Sequence, residues 1–161
     1  DGGRARLSAT VRRLLNKGKR VFVADLLGFG EQVIADGAYH YLFMECIAAG
    51  GDRPLGICTA QLLSLLKWVR SYGKAKKVDV VAQGMSTGMI ALCAAALEPQ
   101  GIGAIGVSLP DSLRRLMDWG VDYRENPVLF CFGLLREFDI EDLVTLSDPV
   151  VITMDGRGPM R

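Results

Sequence analysis

Apolar residues recur along this chain with two different periods. Between Arg4 and Lys17, Leu7, Val11, Leu14 and Leu15 share one face and arginines the other, a helical pattern that Gly18 ends. Arg20-Val-Phe-Val-Ala-Asp25 then runs apolar for the length of a strand and gives way to the glycine-punctuated turn Asp25-Leu-Leu-Gly-Phe-Gly-Glu31. Tyr39 to Ala49 reads as helix and Gly50 to Gly56 as loop. Thr59 to Tyr72 is a second amphipathic helix, with Leu62, Leu63, Leu66, Trp68 and Val69 inward and Gly73 as its stop. Val78 to Ala82, Ile102 to Leu109 and Asp148 to Met154 are further strands. Ser112 to Trp119 and Asn126 to Leu146 carry short helices and a proline-containing apolar excursion. Strands alternating with helices predict an α/β fold: a parallel sheet of at least four strands with helices on both faces, three α/β/α layers, in one domain spanning 1–161.

The segment from Val78 to Leu97 concentrates the candidate chemistry. An apolar strand passes through Gln83-Gly84-Met85-Ser86 straight into an alanine-rich helix, the shape of a nucleophile elbow. Two registers fit. Gly84-Met85-Ser86-Thr87-Gly88 matches G-x-S-x-G, which makes Ser86 the nucleophile. Counting instead from the end of the strand places Gly84 at the nucleophile position, flanked by the small residues Ala82 and Ser86. The second register is preferred, because the first extends the strand to Gly84 and makes Gln83 a buried strand residue without a partner. Gly84 also suits the positive φ at the tip of such a turn. Ser86 then becomes a helix N-cap or first-turn hydroxyl.

Composition removes several alternatives. The 161 residues carry 19 basic and 18 acidic side chains, a net charge of +1, with no run of Lys or Arg dense enough to track phosphates, so nucleic acid is not an expected partner. Apolar runs are too short to span a bilayer, no signal-peptide pattern opens the chain, and no membrane partner is expected. Cys46, Cys58, Cys93 and Cys131 lie far apart without a C-x-x-C pair and read as free thiols. With His40 the one histidine, no metal site is expected. Neither phosphate-binding glycine motif occurs, which leaves a nucleotide module built on the Gly28 and Gly84 turns as the weakest option; no cofactor is expected.

Val21-Phe-Val-Ala-Asp-Leu-Leu-Gly-Phe-Gly-Glu31 resembles the strand ending in D-x-R-G-x-G-E of the acetyl-xylan-esterase-like and dienelactone-hydrolase-like branch of the α/β-hydrolase superfamily. Gly51-Asp-Arg-Pro-Leu-Gly56 is similar to that branch's G-R-P-L-x-G, and Asn126 to Asp139, followed by Asp142-Leu and the Pro149 strand, to the connection before its acid-bearing strand. The resemblance runs from Arg4 to Pro159 and implies the central part of an α/β-hydrolase sheet, so that residues 1–161 are expected to be a fragment lacking the fold's first strands and its His-bearing C-terminal end. It implies a Ser, then Asp or Glu, then His triad in chain order, which this chain does not complete: no histidine follows the elbow, and His40 precedes it by a whole helix. Asp155 is the candidate acid, although a loop aspartate stabilising the Gly156-Arg157-Gly158 turn is the plainer use. Leu27 stands where the branch has Arg.

Two expectations follow. The first is a degenerate hydrolase domain, part of a larger carbohydrate-esterase-like protein, that binds an acylated carbohydrate or small ester alongside the rest of its parent or an oligomer partner. The second is an active carboxylic-ester hydrolase with Ser86 as nucleophile, the Met85 or Thr87 N–H as oxyanion donor, Asp155 as acid and a histidine from outside the segment. In either, Asp25, Gly84, Ser108 to Pro110 and Asp155 gather at the C-terminal edge of the sheet, with Asp25, Gly28 and Met85 as binding positions.

Overall fold

A computed structural model of the chain describes residues 9–33 and 37–154. Its α-helices are α1 (Ala9–Asn16), α2 (Gly37–Ala49), α3 (Pro54–Gly73), α4 (Met85–Leu97), α5 (Arg115–Asp118), α6 (Leu134–Glu137) and α7 (Ile140–Leu146). Its strands are β1 (Val78–Val81), β2 (Ile102–Val107) and β3 (Val151–Met154), in the order β1-β2-β3 and all parallel. Helix α4 makes the β1-to-β2 crossover and the α5–α7 stretch the β2-to-β3 crossover, the connection that parallel neighbours require.

The core is built around α4. Met89, Ile90, Leu92, Ala94 and Ala95 have no exposed surface, because α3, α7 and β2 pack around the helix. Such a helix is apolar all round rather than striped. A Cβ on Gly88 would sit 3.3–3.4 Å from Leu109 and Val107, so the glycine sets how closely α4 approaches the end of β2. At its far end, Glu98 receives Arg70 Nη2 at 2.5 Å and Lys67 Nζ at 3.5 Å, tying α4 back to α3.

Cross-strand register separates the two faces of the sheet. Val80, Ile105 and Ile152 are partners on the face that the helices cover. On the other, Val81 pairs with Gly106 and Val151 with Ala104, and those valines are 50% and 64% exposed. Among the described residues the packed helices lie on one face.

Several expected elements shift. Arg20 to Asp25 forms no regular element and pairs with no strand, so the sheet has three strands among the described residues rather than four. The physical reason lies in α3. Phe22 sets its ring edge-on to Trp68 and Tyr72, and the Leu27 N–H donates to Gln61 Oε1 at 2.9 Å, so the helix takes up contacts that a ladder would otherwise make. Helix α3 begins at Pro54, inside the expected loop, because proline at the first helical position is already set to helical φ and has no N–H to leave unpaired. Gly73 stays helical, and Lys74 adopts the left-handed cap at φ 51°. The last strand starts at Val151, β2 ends at Val107, and the 126–146 excursion resolves into a 3-10 turn at Pro127–Leu129, α6 and α7. Gly156 to Gly158 lie outside the described residues.

Candidate functional site

Because the three strands are parallel, their C-terminal ends share one edge, and the β1-to-α4 turn stands on it. Gly84 is the tip, at φ 99° and ψ 165°. That region of backbone space is occupied almost only by glycine. Thr87 Oγ1 closes the turn from inside, donating to the Gln83 carbonyl at 2.8 Å and the Gly84 carbonyl at 3.2 Å. Gln83 is exposed, as a turn residue and not a buried strand residue would be.

Ser86 falls in the first turn of α4, 9% exposed, and its Oγ lies 3.5 Å from Asn126 Oδ1, at the long end of hydrogen-bond range. It therefore belongs to the helix wall and does not project from the tip. Gly84 offers α4 no side-chain cap, so the first-turn N–H groups are left without intrahelical acceptors and form a donor-rich, electropositive surface.

A pocket of about 320 Å³ opens beside this helix end. The size sits at the lower end of the roughly 300–1,000 Å³ common for small-ligand sites. Gly84, Met85 and Ser86 form one wall, Gly28 and His40 another, and Glu125 and Asn126 a third. Gly28 has φ 81°, and any Cβ there would overlap the Met44 methyl and the His40 ring, so a side chain would have to displace His40 from the pocket wall. His40 Nδ1 is buried without a hydrogen-bond partner. Asn126 is placed by the turn that its own N–H makes to the carbonyls of Asp122 and Tyr123. That loop is held by Arg124 over the Tyr41 ring and by Tyr123 edge-on to Phe130.

Sequence-expected residues are distributed unevenly over this geometry. Gly28, Gly84, Met85 and Ser86 line the pocket; Asp25 does not, and uses its carboxylate to accept the Glu31 N–H at 3.0 Å. Asp155 lies outside the described residues, one beyond the C-terminal end of β3. His40, Glu125 and Asn126 were not singled out as site residues from the sequence. His40 stands a helix and a strand before the elbow and Asn126 well after it, so no local spacing links them. Burial pushes the Cys58 thiol up to about 11, and burial with the nearby Cys131 pushes Cys93 up to about 12; burial also raises Cys131. Such thiols are protonated at neutral pH and are poor nucleophiles. Among the described residues no group of three or more His, Cys, Asp or Glu could hold a metal ion.

Compared with protein-family models, with curated proteins and with solved structures, the chain finds no match.

At Gly84 a built Cβ meets nothing within 4 Å, so replacement is opposed by backbone strain alone. Gly84→Ala is expected to destabilise the protein by about 1–2 kcal/mol while leaving the pocket walls in place. Urea denaturation of the two proteins measures the difference.

Proposed function

We propose that this chain is an α/β-hydrolase-type domain whose elbow holds a ligand and does not cleave it. The ligand class is an acylated carbohydrate or a small ester, seated at the N-terminus of α4 with its acyl oxygen against the first-turn N–H groups. In this reading the sheet face that carries Val81 and Val151 takes the third layer of an α/β/α sandwich. The observation that carries the proposal is the tip itself. In this reading Gly84 stands at the nucleophile position, in a conformation occupied almost only by glycine, while the Ser86 hydroxyl is folded into the helix beside Asn126 and that of Thr87 is bonded to the Gln83 and Gly84 carbonyls. An acyl-transfer site needs a nucleophile with a base in hydrogen-bond reach as well as oxyanion donors, and this elbow supplies the donors.

The expected result is no hydrolysis of acetyl or short-chain nitrophenyl esters above background, with Ser86→Ala and Gly84→Ser both leaving that background unchanged. Saturation-transfer NMR with an acetylated xylo-oligosaccharide is expected to detect binding. A saturable esterase rate lost in Ser86→Ala, or a fluorophosphonate adduct on Ser86, would overturn the proposal.

One observation favours an active ester hydrolase in which His40 takes the place of the histidine expected from outside the segment. His40 lines the same pocket as Ser86 and so brings an imidazole to the elbow from the opposite direction in the chain. Under that reading His40→Ala abolishes the esterase rate together with Ser86→Ala.

A further inference from the structure

We propose that the surface formed by residues 17–23 and 68–77 docks on an anionic lipid bilayer. Two short basic runs, Lys17-Gly-Lys-Arg20 and Lys74-Ala-Lys-Lys77, are each too sparse to mark a surface in the sequence. The fold sets them side by side. Lys19 Nζ reaches Asp79 Oδ2 on β1 at 3.8 Å, and Arg20 Nη1 lies 3.8 Å from where a Cβ on Gly73 would stand. Six exposed cations thus converge on one end of a chain whose net charge is only +1. Lys67 and Arg70 are paired with Glu98, and Lys19 with Asp79, so the attraction for an anionic surface rests on Lys17, Arg20, Lys74, Lys76 and Lys77.

An apolar ridge adjoins the cations. Trp68 and Tyr72 are 53% and 66% exposed, Phe22 38% and Val23 72%. The Trp68 and Tyr72 rings stack at 5.3 Å and 13°, with Phe22 perpendicular to both at 5.7 and 6.0 Å. Trp and Tyr suit the headgroup layer, where an apolar ring body and a polar tip are both accommodated. Lysines beside them add an attraction to acidic lipids that acts within about a Debye length, roughly 8 Å at physiological salt.

Two details favour a bilayer over single-stranded nucleic acid, which also pairs aromatics with cations. The rings turn faces toward one another instead of presenting separate stacking platforms, and an exposed valine gives a base nothing to bind. Five of the six cations are lysines, point charges suited to a diffuse anionic layer more than to forked phosphate recognition. No described helix is long and apolar enough to cross a membrane, so the contact is peripheral, and it replaces the expectation of no membrane partner, which rested on the lack of a spanning run. Lys74 to Lys77 lead into the N-terminal end of β1, whereas the pocket lies at the C-terminal end. A docked molecule therefore leaves the pocket free, and this inference does not depend on the one above.

The test is cosedimentation with phosphatidylcholine vesicles, pure or carrying about a third phosphatidylserine. Binding is expected only to the acidic vesicles and is expected to fall as salt rises. Lys17→Glu, Lys76→Glu and Lys77→Glu together are expected to weaken it about a hundredfold, from about fivefold for each lysine lost, with an unchanged circular dichroism spectrum. In a Trp119→Phe background, Trp68 fluorescence should shift to the blue on binding. Equal binding to neutral vesicles, no binding at low salt, indifference to the triple reversal, or tighter lysine-dependent binding to a single-stranded oligonucleotide would each overturn the proposal.

Discussion

Leu92→Ala is expected to lower the unfolding free energy by about 3–5 kcal/mol, the range for a fully buried leucine whose surroundings cannot collapse into the space left. Leu92 has no exposed surface, and its helix is flanked by α3, α7 and β2. On its own face of α4 the neighbours are Gly88, Met89, Ala95 and Ala96, and all but Met89 are too short to fill a void. The gain in helix propensity from Leu to Ala is only a few tenths of a kcal/mol and cannot offset the cavity. Since a domain of this size is stable by about 5–15 kcal/mol, the substitution should consume a large fraction of the total. A fall in the urea midpoint with an unchanged slope measures it; a change below 1 kcal/mol would mean that α4 is not the centre of the core.

Asp139→Ala is the second large effect, at about 2–4 kcal/mol. The Asp139 carboxylate is the N-cap of α7, in a capping box with Asp142, whose Oδ2 accepts the Asp139 N–H at 2.8 Å. It also reaches across to another loop, accepting the Leu113 N–H at 2.7 Å and the Ser112 hydroxyl at 2.6 Å. Removing it loses the cap and leaves the N–H of a buried residue unpaired, two costs that add. Burial opposes the charge, but the hydrogen bonds from Ser112, Leu113 and Ile140 and the charge of Arg114 outweigh it, so the carboxyl titrates below its ordinary value. A depressed folded-state pKa gives stabilisation that is fully present above the unfolded value, about 3.9, and is lost as pH falls through the folded one. The advantage of the wild type over Asp139→Asn should therefore be constant between about pH 5 and 7 and shrink in acid below about pH 4. Urea denaturation at both ends of that range checks it, and a pH-independent difference would exclude the carboxylate's charge as the cause.

The elbow was legible because its determinants are local. A strand of Val78 to Val81, a glycine able to take positive φ and an alanine-rich helix are contiguous, so pattern and backbone chemistry agree on one turn. The same holds for α2, α3, β2 and β3, whose existence follows from periodicity even where a terminus moved by a few residues. Arg20 to Asp25 was misread because an apolar, β-prone run becomes a strand only when a neighbour offers a ladder. Here Phe22 packs on Trp68 and Tyr72 of α3 instead, and Gln61 holds Leu27 just beyond the segment.

What the sequence determined by itself was the α/β alternation, the parallel sheet that long crossovers enforce, and the glycine tip at the end of β1. Each rests on interactions between residues a few positions apart. Tertiary structure alone decided that His40 and Asn126 share a pocket with Ser86 and that two dilute basic runs become one cluster. Those juxtapositions join residues tens of positions apart, and they are fixed by how α3 and α4 pack on the sheet, which no local spacing encodes.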